Sequence, residues 1–227
     1  MTDRRTPSGA SALDDLVAVM DTLRSPGGCP WDAEQTHESL LPYAVEEVFE
    51  VVEAVEDGDR AALREELGDL LLQVIFHARV AQEHPTEPFG IDDVAAGVAA
   101  KLRARHPHVF GDVVVSGADE VHRNWEAIKK TEKARTSALD GIPRGMPALA
   151  RAEKVAGRAR RAGLPVAEVA TAVVGDVPAA DAGALGRRLL ALALEAQAAG
   201  IDAEAALRAA VRDLEQALRA AEADGAR

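Results

Sequence analysis

The sequence predicts an all-α protein, and three observations carry that expectation. Hydrophobic residues make up 48% of the chain and aromatics only 3%, so Ala and Leu, with abundant Glu and Arg, dominate a composition that favours helices over sheets. The β-branched run Val113-Val114-Val115 is too short to seed a sheet. Clusters of Pro and Gly divide the remainder into segments of helical length.

Taken in order, residues 1–10 are polar, contain Pro7 and Gly9, and are expected to fray. Ser11 is placed to cap a short helix carrying Leu13, Leu16, Val17 and Met20, which the loop signal Ser25-Pro26-Gly27-Gly28-Cys29-Pro30 stops. A helix from about Glu38 to Glu56 ends at Asp57-Gly58-Asp59. The next runs from about Arg60 to Gln82, ahead of Pro85 and Pro88. Ile91 to Arg105 reads as a helix with Asp92 and Asp93 in its first turn, where the helix dipole favours acids. His106 to Gly117 reads as a loop and Asp119 to Arg135 as a helix. The stretch from Gly141 to Pro147 reads as a linker, followed by three or more Ala-rich helices to Ala223. This gives two domains, 1–145 and 146–227.

The formal net charge of −12 argues against a general nucleic-acid binder, whose footprint is a basic face. It leaves room for a nucleotide substrate, because a bound cation reverses the local charge of an acidic pocket. The single cysteine, Cys29, cannot form an internal disulfide, and it lies in a Gly-Pro loop with no basic neighbour to activate it. With no signal segment and no 18-residue apolar stretch, the expectation is a soluble cytoplasmic protein with no membrane partner.

The informative stretch is Glu46-Glu47-Val48-Phe49-Glu50, followed by Glu66-Leu67-Gly68-Asp69. Residues three apart on a helix share a face, about 5–6 Å apart at Cβ. Two antiparallel helices joined at Gly58 can therefore aim Glu47, Glu50, Glu66 and Asp69 at one point. Mg²⁺ would offset their repulsion, since it takes carboxylate and water oxygens and shares them with phosphates. The competing reading is a solvated acidic face. It suits the first helix, where Glu46, Glu47, Glu50 and Glu53 lie opposite Val48, Val51, Val52 and Val55 in ordinary amphipathic order. It suits the second less well. There Glu66, Asp69 and Gln73 form a stripe bordered by Leu70, Leu72 and Phe76, with no Lys or Arg on it.

These motifs resemble the signature of MazG-type nucleoside triphosphate pyrophosphohydrolases. So do Gly28-Cys29-Pro30-Trp31-Asp32 with Gln35-Thr36-His37, and Arg105-His106-Pro107-His108-Val109-Phe110. Asn124-Trp125-Glu126-Ala127-Ile128-Lys129 and Ala138-Leu139-Asp140-Gly141-Ile142-Pro143 match as well. The resemblance covers roughly residues 11–165. It implies a helical bundle of the all-α pyrophosphohydrolase type, assembled as a homodimer. It implies that Glu47, Glu50, Glu66 and Asp69 bind Mg²⁺, with Mn²⁺ as a substitute, and that Glu46 and Glu65 stand beside them as candidates for accepting a proton from water. Lys101, Arg105 and Lys129 would then meet the phosphates, and Trp125 would lie near the nucleotide. The spacing agrees: Lys101 with Arg105, and Trp125 with Lys129, are pairs four apart that share a helix face. Trp31 either packs the core or walls off the nucleotide. His77 stands alone on its helix, and His106 and His108 flank Pro107. No Cys or His cluster offers the three or four ligands zinc needs.

The tail reads as a degenerate helical repeat. Laying Val48–Glu83 over Val166–Ile201 without gaps repeats Leu67-Gly68 as Leu185-Gly186 and Leu71-Leu72 as Leu189-Leu190. The metal positions are lost: Pro165, Ala184 and Arg187 stand opposite Glu47, Glu66 and Asp69, and only Glu168 survives, opposite Glu50. A silent second domain is expected, the alternative being an unrelated Ala-rich cap. The expected reaction is NTP + H₂O to NMP and pyrophosphate, including house-cleaning of non-standard nucleotides. Three other readings stay open. One is a related enzyme with a narrow substrate such as dUTP or phosphoribosyl-ATP. Another is a di-iron bundle, disfavoured because it wants Glu-x-x-His on two helices. The third is a non-catalytic helical regulator that binds nucleotide or a partner protein.

Overall fold

The structure is a computed structural model that describes residues 11–118, 120–121, 124–125, 128, 137–174 and 181–225, the last eleven of these by backbone alone. The expected frayed segment 1–10, most of the expected helix 119–135 and Lys129 lie outside the described residues. Every regular element among the described residues is helical. The chain divides into two compact units, residues 1–125 and 126–227. The division precedes the Gly141–Pro147 segment that the sequence marks as the linker.

In the first unit, α1 (Ala12–Arg24) opens with the expected Ser11 cap, completed by Asp14 into a reciprocal capping box. A short helix α2 (Pro30–Glu34) follows inside what reads as loop, because Pro30 sits at a first helical position where its missing N–H costs nothing. The preceding loop is tight. A Cβ on Gly28 would stand 2.3 Å from the carbonyl oxygens of Thr22 and Leu23, so no larger residue fits.

Helix α3 (His37–Glu56) starts at a Thr36–Ser39 capping box, and α4 (Arg60–Ala81) starts at Asp59, whose carboxylate accepts from the N–H groups of Ala61 and Ala62. Between them Gly58 takes a φ of +70°, the left-handed conformation that ends a helix and reverses the chain. The result is an antiparallel hairpin. Helix α5 (Ile91–Arg105) packs on α4, and a single turn, α6 (Pro107–Phe110), follows within the predicted 106–117 loop. Met20, Leu40, Ile75 and Phe76 form the buried core, joining α1, α3 and α4.

The valine face of α3 is only partly buried: Val51 and Val52 are half-buried, whereas Val48 and Val55 are 45% and 58% exposed. Leu67, Leu71 and Val74 on α4 are exposed as well. The core is reached instead through Leu40 and Ala54, leaving an apolar face on the outside of the hairpin.

The second unit holds α7 (Ala148–Arg161), α8 (Val166–Val174), α9 (Ala182–Ala198) and α10 (Ala203–Gly225). Its packing relies on small residues: Ala156, Ala159, Ala184 and Ala193 are buried. Helices α7 and α10 are tied by the carboxylates of Glu153 and Glu204, which accept from the backbone N–H groups of Ala203 and Ala150. A groove of about 650 Å³, lined mainly by Val and Leu side chains such as Val155, Val169, Leu189, Leu190 and Leu207, runs over α7, α8 and α9. In the ungapped overlay, the last residue of α3, Glu56, falls on the last residue of α8, Val174.

Candidate metal centre

The hairpin places the carboxylates. Its three-residue turn sets Glu47 on α3 across from Glu66 and Asp69 on α4, and one oxygen from each lies within 4.8 Å of the other two. All three side chains are half-buried. Glu50, one turn beyond Glu47, is exposed, and its carboxyl acts to raise the Glu47 pKa. The structure therefore gathers three of the four predicted ligands, with the fourth adjoining through Glu47.

The electrostatics follow from that geometry. Burial raises the Glu47 pKa above its usual 4.5, helped by the side chain of Glu50 and the charges of Asp69 and Glu66. Glu66 is raised by burial first, then by the charges of Glu50, Asp69, Glu65 and Glu53. Among the described residues, no Lys or Arg acts on either carboxyl. Converging hard oxygen donors with uncompensated charge fit a divalent cation such as Mg²⁺ or Mn²⁺, which prefers carboxylate oxygen to nitrogen or sulfur.

Glu46 and Glu65 flank the cluster and are exposed. On α5, Lys101 is exposed, whereas Arg105 is 8% exposed with its guanidinium 5.5 Å over the Trp125 ring. Arg105 thus packs on the half-buried Trp125 as a cation–π pair rather than standing in solvent beside Lys101. Trp31 is half-exposed and meets Tyr43 and Phe76 edge-on, at centroid distances of 5.9 and 6.4 Å. It therefore caps the end of the core and presents a surface at once.

Sequence reasoning missed what holds Trp31 there. Arg24 pairs with Glu83 at 2.9 Å, donates to the Asp32 carbonyl of α2, and lies over the Phe76 ring. Arg79 bridges the same Glu83 to Asp21. Only the four-residue spacing of Arg79, in the last turn of α4, and Glu83, just past its end, shows this in the sequence. His77 is not alone: its Nδ1 lies 2.8 Å from Nδ1 of His37, with the rings stacked. The two residues are forty apart in the chain, and only the hairpin brings them together. The structure leaves Cys29 as a half-exposed free thiol.

Fold and site define a class: an all-α protein with a carboxylate cluster able to hold a metal between the two helices of a hairpin. Residues 35–110, which contain that whole hairpin, match the model of the MazG nucleotide pyrophosphohydrolase domain. The chain belongs to this family. It is 51% identical over 215 residues to an uncharacterised 26.1 kDa protein of Streptomyces cacaoi, covering 94% of this chain and 84% of that one. It is 44% identical over 210 residues to a nucleoside triphosphate pyrophosphohydrolase of Mycobacterium tuberculosis, covering 92% of this chain and 58% of the other. A nucleoside triphosphate pyrophosphohydrolase of Escherichia coli is 46% identical over 155 residues, covering 66% of this chain and 58% of its own length. The chain thus spans little more than half of these two named enzymes.

Proposed function

We propose that this protein is a Mg²⁺-dependent nucleoside triphosphate pyrophosphohydrolase, converting an NTP or dNTP and water to the monophosphate and pyrophosphate. The observation that carries the reading is the convergence of Glu47, Glu66 and Asp69, with Glu50 adjoining, in a chain of the MazG family. Those four residues are the ligands. Mg²⁺ held there would supply positive charge for the phosphate oxygens and acidify a bound water.

The chain's own residues do the rest. Glu46 or Glu65, exposed beside the cluster, accepts the proton that water loses as its oxygen bonds to phosphorus. Lys101, Arg105 and Lys129 balance the charge left on pyrophosphate as the P–O bond breaks. Trp31 and Trp125 wall the nucleoside. The apolar outer face of α3 and α4 is covered by a second copy, making a homodimer. Residues 1–145 hold the activity and residues 146–227 are silent. House-cleaning of non-standard nucleotides in the cytoplasm is the role proposed, and the net charge of −12 supports a nucleotide rather than a nucleic acid as partner. No helix among the described residues is long and apolar enough to cross a membrane.

The test is to incubate the full chain with each common NTP and dNTP, with Mg²⁺ or with chelator, and to assay monophosphate and pyrophosphate. Release of both in equal amounts, requiring the metal, is expected. Diphosphate plus orthophosphate, or no product from any nucleotide in a folded sample, would overturn the proposal.

A further inference from the structure

Gln73 is unexplained by the site as described. It is 8% exposed, and its Oε1 has no hydrogen-bond partner, on the helix that also carries the buried core residues Ile75 and Phe76. Leaving a buried amide oxygen unpaired is costly, and a Leu or Met would fill the space without that cost.

Its position says what the amide is for. Glu66, Asp69, Gln73 and His77 are spaced three, four and four apart, so they form one stripe along α4. Both ends of the stripe face α3: Glu66 and Asp69 meet Glu47, and His77 meets His37. Gln73 lies between them in the same seam. At about 1.5 Å of rise per residue, it stands about 6 Å along the helix from Asp69. At that level Phe76 carries Trp31, which touches Tyr43 and leaves half its own surface open. A flat aromatic surface beside a two-sided hydrogen-bonding amide, one helical turn from the carboxylates proposed to hold the metal, suits a nucleobase. The rings supply the stacking face, and the amide supplies both a donor and an acceptor for the base edge.

We propose that Gln73 is a specificity-determining residue that hydrogen-bonds the base edge of the bound nucleotide, its amide turning from the seam when the nucleoside enters beside Trp31. The inference rests on the proposed pyrophosphohydrolase activity.

The experiment measures kcat and KM for pyrophosphate release by the full chain with Mg²⁺. It uses the ribo- and deoxyribonucleoside triphosphates of every common base, for the wild type, Gln73→Met and Gln73→Glu. Met keeps the length and helix propensity but loses the hydrogen bonds. The preference of the wild type for its best base over its worst should shrink about tenfold or more in Gln73→Met, mainly through KM, with the ribose-to-deoxyribose ratio unchanged. Gln73→Glu, which can only accept when ionised, should move the preference toward guanine, whose N1–H and amino group present two adjacent donors. Equal loss on every base, a change confined to the sugar ratio, or a wild type with no base preference overturns the inference. So does failure of both variants to fold, which makes Gln73 structural. A wild type inactive on every nucleotide fells the activity reading itself and the inference with it, whereas an active but unselective wild type fells only the inference.

Discussion

In the first unit, the helix after the turn carries Glu66 and Asp69 into its seam with α3. In the ungapped overlay, Ala184 and Arg187 of the second unit fall on those two positions. Ala184 is 1% exposed, so the position opposite Glu66 is an interior one. The core is matched in the same way: Ile75 is 2% exposed and Ala193, its equivalent, 0%. There α8 and α9 pack around a methyl group, where the first unit carries a half-buried carboxylate. The raised pKa values and mutual repulsion of Glu47 and Glu66 fit a ligand-binding role rather than a packing one.

The comparison can be broken most sharply by activity. Asp69→Asn or Glu66→Gln should lower kcat/KM for pyrophosphate release by at least about 100-fold, since even the outer partners of metal ligands are worth 10–100-fold. Glu168→Gln in the second unit should leave it unchanged. Equal effects of the two classes of variant would show that the second unit is not silent.

Next in size is the reverse graft. Ala184→Glu puts a long charged side chain at a closed position and should cost about 3 kcal/mol or more, seen as loss of stability in urea, without adding activity. A stable Ala184→Glu variant that gains Mg²⁺ affinity would mean that the second site is latent rather than lost.

The pH dependence is a smaller effect and sharpens the same contrast. Glu47 and Glu66 hold protons above 4.5, so the folded chain binds more protons than the unfolded one just above that pH. Metal-free stability should then fall as pH rises from 4.5 through the raised values. Glu47→Gln with Glu66→Gln should flatten the slope, and Mg²⁺ should reverse it by favouring the ionised form. Thermal melting in chelator and in Mg²⁺ across that range measures it. A slope unaltered by the double substitution would place its origin elsewhere.

The smallest effect is the one the two hairpins share. Asp59 caps α4 and Asp181 caps α9 through backbone N–H groups, so Asp59→Ala and Asp181→Ala should each cost about 1 kcal/mol by denaturant titration. A large inequality would mean that one turn does more than cap its helix.

Much of the architecture was legible because its signals are local. Ser11, Thr36 and Asp59 cap the helices that follow them, Gly58 takes the left-handed turn, and Ile91–Arg105 begins and ends where its acids and arginine place it. The spacing Glu47, Glu66, Asp69 was equally local, needing only a hairpin to converge. Helices α2 and α6 were less legible. Each is a single turn begun by a proline, too short for any periodicity to show.

By itself, then, the sequence determined the all-α class, the helix limits in the first unit and the carboxylates that could meet, because helical period and capping act over three or four residues. Tertiary structure alone decided that His37 stacks on His77, that Arg24 anchors α2 and that Arg105 lies over Trp125. It also decided that the Gln73 Oε1 is buried without a hydrogen-bond partner and that Val48 and Val55 of α3 stay open. These depend on which residues far apart in the chain come within a few ångströms, and hence on how whole helices pack, which no local pattern encodes.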